Sequence, residues 1–174
     1  KFLDTWSMIY PDVITGWNTE FFDIPYLCNR IKNRCDEDEI RRLSPWRSVS
    51  SRTVFKMGRN HQLYDIQGVA HLDYFDLYRK FTYSAQESYR LDHIAYVELG
   101  ERKDGNPFET FRDWYTKDYQ SFIEYNIMDV ELVDRLEDKM RLIELCLTMA
   151  YEAKVNYMDV LGSVKYWDIL IYNY

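Results

Sequence analysis

An α/β fold is predicted by three observations on the sequence. An apolar, β-branched run, Val13-Ile14-Thr15, leads into an amphipathic helical segment; two strand-like runs flank Gly58; and an apolar stripe in steps of three and four runs from Val130 to Leu147. β-Branched runs fit a pleated sheet, whereas apolar residues spaced by three and four need a helix. With 174 residues, 47% of them hydrophobic, the chain has enough apolar surface for a real core and the length of one domain or a domain and a fraction.

Taken in order, Phe2, Trp6, Ile9 and Tyr10 fall at near-helical spacing until Pro11 stops them, and a strand is expected around Asp12 to Trp17. A helix is expected to open at Pro25, whose fixed φ and missing N–H suit a first turn, and to run to about Arg34. The mixed charges Asp36 to Arg42 read as a solvated loop or helix start rather than a metal cluster, because adjacent acids on an exposed segment rarely converge. Thr53 to Met57 and His61 to Ile66 read as ribbon strands joined by Gly58-Arg59-Asn60. His71 to Phe81 starts extended and turns helical, with Asp73 and Asp76 as helix-start caps. Ser88 is the expected N-cap of Tyr89 to Leu99, Gly105-Asn106-Pro107 a turn, and Phe108 to Tyr115 a short helix. From Lys117 or Asp118 a long helix is expected, its stripe Val130, Val133, Leu136, Met140, Ile143 and Leu147 facing the core.

Composition excludes several classes. No run of roughly 18 apolar residues occurs and no signal-peptide pattern opens the chain, so no membrane partner is expected. Cys28, Cys35 and Cys146 make no CxxC pair and no zinc spacing with the three histidines, which fits a reducing cytoplasm. A net charge of −7 argues against a freestanding nucleic-acid-binding module, since Lys and Arg supply most non-specific affinity for phosphates. A metal-dependent nuclease escapes that argument, because its site is rich in carboxylates. The first residue is Lys1, as expected of a piece of something longer.

Two stretches stand out for chemistry. Asp23 lies at a helix start, where free N–H groups and the helix dipole favour an ionised carboxylate able to hold a cation; by itself it also reads as a plain cap. Tyr125 and Asp129 are four apart on the long helical pattern, so hydroxyl and carboxylate share a face, roughly 6 Å apart at Cβ. Together, Asn18, Phe22 and Asp23 with Tyr125 and Asp129 resemble the second and third exonuclease motifs of family B DNA polymerases, Asn-x-x-x-Phe-Asp and Tyr-x-x-x-Asp. The surrounding residues, from Ile14-Thr15-Gly16-Trp17-Asn18 through Leu72-Asp73-Tyr74-Phe75-Asp76 to the closing Val164-Lys165-Tyr166-Trp167, are similar to the proofreading region of T-even-type phage replicative polymerases over nearly the whole chain.

The resemblance implies a ribonuclease-H-like exonuclease fold, incomplete at its N-terminus, with a β-hairpin insertion and long C-terminal helices. It divides the chain into a partial 3′→5′ exonuclease domain, residues 1–150, and a segment, 151–174, returning toward the polymerase's amino-terminal domain. It implies Asp23 and Asp129 as ligands of Mg²⁺ or Mn²⁺ in a two-metal site, Tyr125 as the residue orienting the attacking water, and Asn18 and Phe22 as contacts to the terminal nucleotides. Arg59 at the hairpin tip suits a phosphate or base contact, with a solvent-facing turn as the alternative. The implied partners are a single-stranded 3′ primer end of DNA, the remaining polymerase domains and, through them, a sliding clamp and replisome. The family's first motif, Asp-x-Glu on a strand, is not in this chain: Asp129-Val130-Glu131 has the letters, but residues two apart on a helix face away from each other. The chain is therefore expected to be inactive alone, and a noncatalytic DNA-guiding or scaffold module is the alternative reading.

Overall fold

The fold is given by a computed structural model that describes residues 1–56, 58–102 and 107–173. In chain order the elements are α1 (Phe2–Ile9), β1 (Val13–Ile14), α2 (Asp23–Arg34), a 3-10 helix (Glu37–Leu43), β2 (Val49–Lys56), β3 (Arg59–Ile66) and β4 (Ala70–His71). Then come α3 (Tyr74–Phe81), α4 (Leu91–Leu99), α5 (Phe111–Lys117), α6 (Tyr119–Met140), α7 (Leu142–Ala153), a second 3-10 helix (Tyr157–Leu161) and α8 (Ser163–Tyr172). The fold is thus mixed α/β with small sheets and many helices. The turn expected at Gly105-Asn106 and the strand end at Met57 lie outside the described residues.

Short parallel strands divide two apolar cores. β1 pairs in parallel with β4, Val13 opposite Ala70 and Ile14 opposite His71. The ladder runs on as Leu72 N–H donates to the Ile14 carbonyl at 2.9 Å and Tyr74 N–H to that of Gly16 at 2.8 Å. Because successive strand residues face opposite ways, Val13 packs against one core and Ile14 against the other. The first core joins α3, α4, α6, α7 and α8 through Leu77, Tyr78, Ile94, Leu136, Cys146 and Tyr166. The second joins α1, α2, the first 3-10 helix and β3 through Leu3, Cys28, Ile31, Leu43 and Tyr64. Burial pushes the Cys28 thiol up to about 12 and that of Cys146 to about 11, so both behave as small apolar core residues.

The hairpin is longer than the sequence suggests. β2 and β3 pair antiparallel from Val49 opposite Ile66 to Lys56 opposite Arg59, and Gly58 takes a φ of 76° at the turn. That left-handed conformation suits glycine, and Arg59 becomes a strand residue rather than the middle of the turn. Tyr64 donates from its hydroxyl to Asn29 Oδ1 at 3.0 Å, tying β3 to α2.

Three expectations are corrected. α2 begins at Asp23 rather than Pro25, which is accommodated as its third residue because that early N–H needs no helical partner. The long helix breaks at Arg141, whose φ of 52° is left-handed, and Glu137 accepts from the N–H groups of Ile143 and Glu144 to cap α7. Val130, expected in the core, is 71% exposed, since the apolar stripe meets the first core only from Val133 onward. Position 150 falls inside α7, and Ala153, Val160 and Tyr166 beyond it belong to the first core. Among the described residues no helix is long and apolar enough to cross a membrane.

Candidate active site

The stretch between β1 and α2 is built around close approaches. A Cβ added to Gly16 would lie 2.3 Å from the Thr19 methyl group, so glycine lets the chain fold back on itself at once. Asn18 follows with φ 62°, a left-handed conformation that Asn tolerates better than most residues. Its N–H donates to Asp73 Oδ1 at 2.9 Å, and the N–H of Glu20 donates to Asp73 Oδ2 at 3.0 Å. The Thr19 hydroxyl lies 2.7 Å from His71 Nε2 and 3.4 Å from Asp73 Oδ2. Asp73 is itself the N-cap of α3, accepting from Phe75 N–H at 3.1 Å, and is only 4% exposed.

Phe22 is the N-cap residue of α2 and 70% exposed, its ring offered to solvent beside the exposed Asp23. Phe21 turns the other way, toward the hairpin. His61 meets it edge-on at 5.4 Å, and the Lys56 ammonium sits 4.0 Å from its ring centre. Arg52 bridges Glu20 at 3.3 Å and Asp65 at 3.5 Å. Arg59 donates to His61 Nε2 at 3.3 Å, which links the exposed hairpin end to the same cluster.

Tyr125 and Asp129 lie one turn apart on α6, both half-buried. The Tyr125 ring packs 4.8 Å from that of Trp114 and 6.1 Å from that of Phe111, both on α5. Trp114 is buried, and its Nε1–H donates to Ser121 Oγ at 2.6 Å, locking α5 against the first turn of α6.

Electrostatics joins the two stretches. Partial burial raises the Asp23 carboxyl above its ordinary range; a hydrogen bond from its own N–H opposes this, and the charges of Asp73 and Asp129 reinforce it. The helix start therefore does not win: Asp23 holds its proton more tightly than the capping argument predicts. Burial raises Glu20 and Asp76 as well, with the charges of Asp76 and Asp73 adding repulsion at Glu20 and that of Asp73 at Asp76. The charge of Asp129 is thus felt at Asp23, as the weakest of the influences on that carboxyl, and Asn18 and Phe22 lie on the stretch that leads into Asp23. Arg59 is linked to this region through His61, which meets the Phe21 ring. Sequence reading placed Asp73 as a cap; that it also grips a loop 55 positions away in the chain had no local signal.

Carboxylate oxygens are the hard donors that Mg²⁺ and Mn²⁺ take. In kind the pair fits such an ion. In number it is incomplete: among the described residues no three of His, Cys, Asp and Glu converge on one point. A groove of about 1010 Å³ beside the Asp23 stretch is lined by Glu20, Ile24, Asp65, His71, Tyr157 and Asp159 among others, and its lining includes neither Asp23 nor Asp129.

Residues 1–94 match the family described as DNA polymerase family B, exonuclease domain. A DNA-directed DNA polymerase of Escherichia phage RB69 is 39% identical over 175 residues, and one of Enterobacteria phage T4 is 36% identical over 176. Each alignment covers 99% of this chain and 19% of the relative, so the chain spans about a fifth of those polymerases. The DNA polymerase delta catalytic subunit of Drosophila melanogaster is 30% identical over 92% of the chain and 15% of its own length.

Proposed function

Since this chain belongs to the exonuclease domain of DNA polymerase family B, we propose that it is part of a proofreading 3′→5′ exonuclease, hydrolysing terminal phosphodiesters of DNA inside a longer polymerase. The observation that carries the reading is the match of residues 1–94 to that exonuclease domain, with Asp23 at the start of α2 and Tyr125 and Asp129 one turn apart on α6. Two carboxylates that resist sharing their charge are relieved by a cation between them. Asp23 and Asp129 would hold Mg²⁺ or Mn²⁺. Bound divalent ions supply a water activated for attack and stabilise the departing 3′-oxygen.

The chain's own residues then orient and bind. Tyr125, steadied by Trp114, would direct its hydroxyl toward the attacking water, orienting it rather than taking its proton. Phe22 offers an exposed ring to a terminal base, and Asn18 a polar edge to the same nucleotide. Arg59 contacts phosphate or base from the hairpin. A single-stranded 3′ primer end fits these contacts, and the other polymerase domains, with a clamp and replisome reached through them, are the remaining partners. Residues 151–174 lead toward those domains, and the protein works in the cytoplasm of the host cell. A ribonuclease-H-like sheet around β1 and β4 belongs to the same reading. Without the Asp-x-Glu motif that the resemblance implies, the chain by itself is inactive in this reading.

A noncatalytic DNA-guiding or scaffold role draws support from the absence of any three converging ligands among the described residues. One experiment separates the two. In the polymerase that carries this chain, Asp129→Ala is expected to abolish excision of a mismatched 3′ end and leave primer extension intact. Excision at the wild-type rate by a folded variant would leave the scaffold role standing.

A further inference from the structure

Asp73 lies outside the motifs to which catalysis is assigned, yet it is the charged residue on which the Asp23 stretch is hung. Its two carboxylate oxygens are divided between two tasks. Oδ1 accepts from Phe75 N–H, capping α3, and from Asn18 N–H; Oδ2 accepts from Glu20 N–H and faces the Thr19 hydroxyl. A carboxylate accepts on both oxygens at once, whereas an amide must turn a donor toward one of these N–H groups. Through these bonds the rigid start of α3 fixes Asn18 in its left-handed conformation and sets where the chain enters α2 at Asp23. Position 73 is thus filled with more than a cap in view, since serine would cap α3 as well.

We infer that Asp73 is a positioning residue for proofreading, holding the Asn18–Glu20 loop so that Asn18, Phe22 and Asp23 meet the primer terminus in register. The inference rests on the exonuclease reading above. Serine separates its two tasks: one short hydroxyl can still accept from Phe75 N–H but cannot reach both Asn18 and Glu20.

The test uses the polymerase that carries this chain, with Asp73→Ser, Asp73→Ala and Asp129→Ala compared. In Asp73→Ser, hydrogen exchange of the peptide spanning Trp17 to Phe21 should accelerate, and melting should fall because the Asn18 and Glu20 N–H groups lose their acceptor, but by less than in Asp73→Ala because the cap on Phe75 N–H persists. Single-turnover excision should slow by roughly 10- to 100-fold, as a small misplacement of reacting groups does, with DNA dissociation and primer extension unchanged. Asp73→Ala should show the same excision defect and melt lower still, since it loses the cap of α3 as well. Unchanged exchange at Trp17 to Phe21 in Asp73→Ser would overturn the inference, as would wild-type excision despite faster exchange. If Asp129→Ala is dead while Asp73→Ser excises normally, only the positioning role falls. If both excise normally, the exonuclease reading falls and takes the positioning role with it.

Discussion

The stretch Asn18–Asp23 and the stretch Tyr125–Asp129 deliver one carboxylate each, and they are held by different physics. The first is a loop with a left-handed residue, pinned by backbone N–H groups donating to the buried Asp73 and braced by the hairpin through Phe21, His61 and Lys56. The second is regular helix, gripped on one side by the aromatic cluster of Phe111 and Trp114, with Ile127, Met128 and Val130 exposed around it. Hydrogen bonds define direction sharply but cost free energy when one partner is lost. Packing is non-directional and tolerates a shift. The loop therefore carries the geometry of this pair, and the helix carries a position that depends on α5.

Removing the aromatic anchor should break this contrast most severely. Trp114→Ala deletes a buried ring and a hydrogen bond to Ser121, and a loss of about 3–5 kcal/mol is expected in chemical denaturation. Hydrogen exchange should accelerate in Phe111 to Asp129 while Trp17 to Phe21 keeps its protection. Equal loosening of both stretches would show that they are one mechanical unit.

A smaller effect follows from the hydroxyl of Tyr125. Tyr125→Phe keeps the ring against Trp114, so melting should not change, while single-turnover excision in the parent polymerase slows by roughly 10²-fold. An unaltered rate would reduce Tyr125 to packing.

At Asn18 the expected effects are smaller again. Asn18→Ala places an ordinary residue at φ 62° and should destabilise by about 1 kcal/mol, whereas Asn18→Gly should be close to neutral in thermal melting. Identical melting of the two variants would argue that the loop relaxes and that Asp73 does not fix it.

The smallest shift concerns charge. Asp23 has its carboxyl raised in the folded chain, so its ionised form opposes folding; that penalty is present at neutral pH and fades as pH falls through the folded pKa. Asp23→Asn should raise Tm at pH 7 by at most about 2 °C, because the side chain is exposed and water screens the repulsion. The gain should vanish in the acid range. A lower Tm at pH 7 would mean that the helix-start attraction outweighs the repulsion after all.

How far the sequence spoke follows the same division. Local signals are mixed: Pro11 ends α1 and Asp73 caps α3, but Ser88 does not cap α4, which starts at Leu91 after Arg90, because the Ser88 hydroxyl accepts from Arg90 N–H ahead of the helix. Non-local ones were silent. Nothing near Arg141 announces a break, since neither glycine nor proline stands there and the cap comes from Glu137. Val130 keeps the stripe's spacing yet faces solvent, because spacing tells which residues share a face but not how far along the helix a partner covers it. Of the pair itself, the sequence offers Asp23 at a helix start and Asp129 on a long helix, but not the upward push on Asp23, which depends on burial and on the charges of Asp73 and Asp129 from distant elements.

Whether Asp23 and Asp129 serve one site is tested most directly by a double-mutant cycle on excision in the parent polymerase. Asp23→Ala, Asp129→Ala and the double variant would be compared in single-turnover removal of a mismatched 3′ nucleotide, with primer extension as the control for folding. Groups that act as a unit are strongly non-additive. The double variant is therefore expected to be no slower than the slower single variant, with extension unchanged in all three. Losses that multiply, each carboxylate contributing its own factor to the rate, would contradict a shared site.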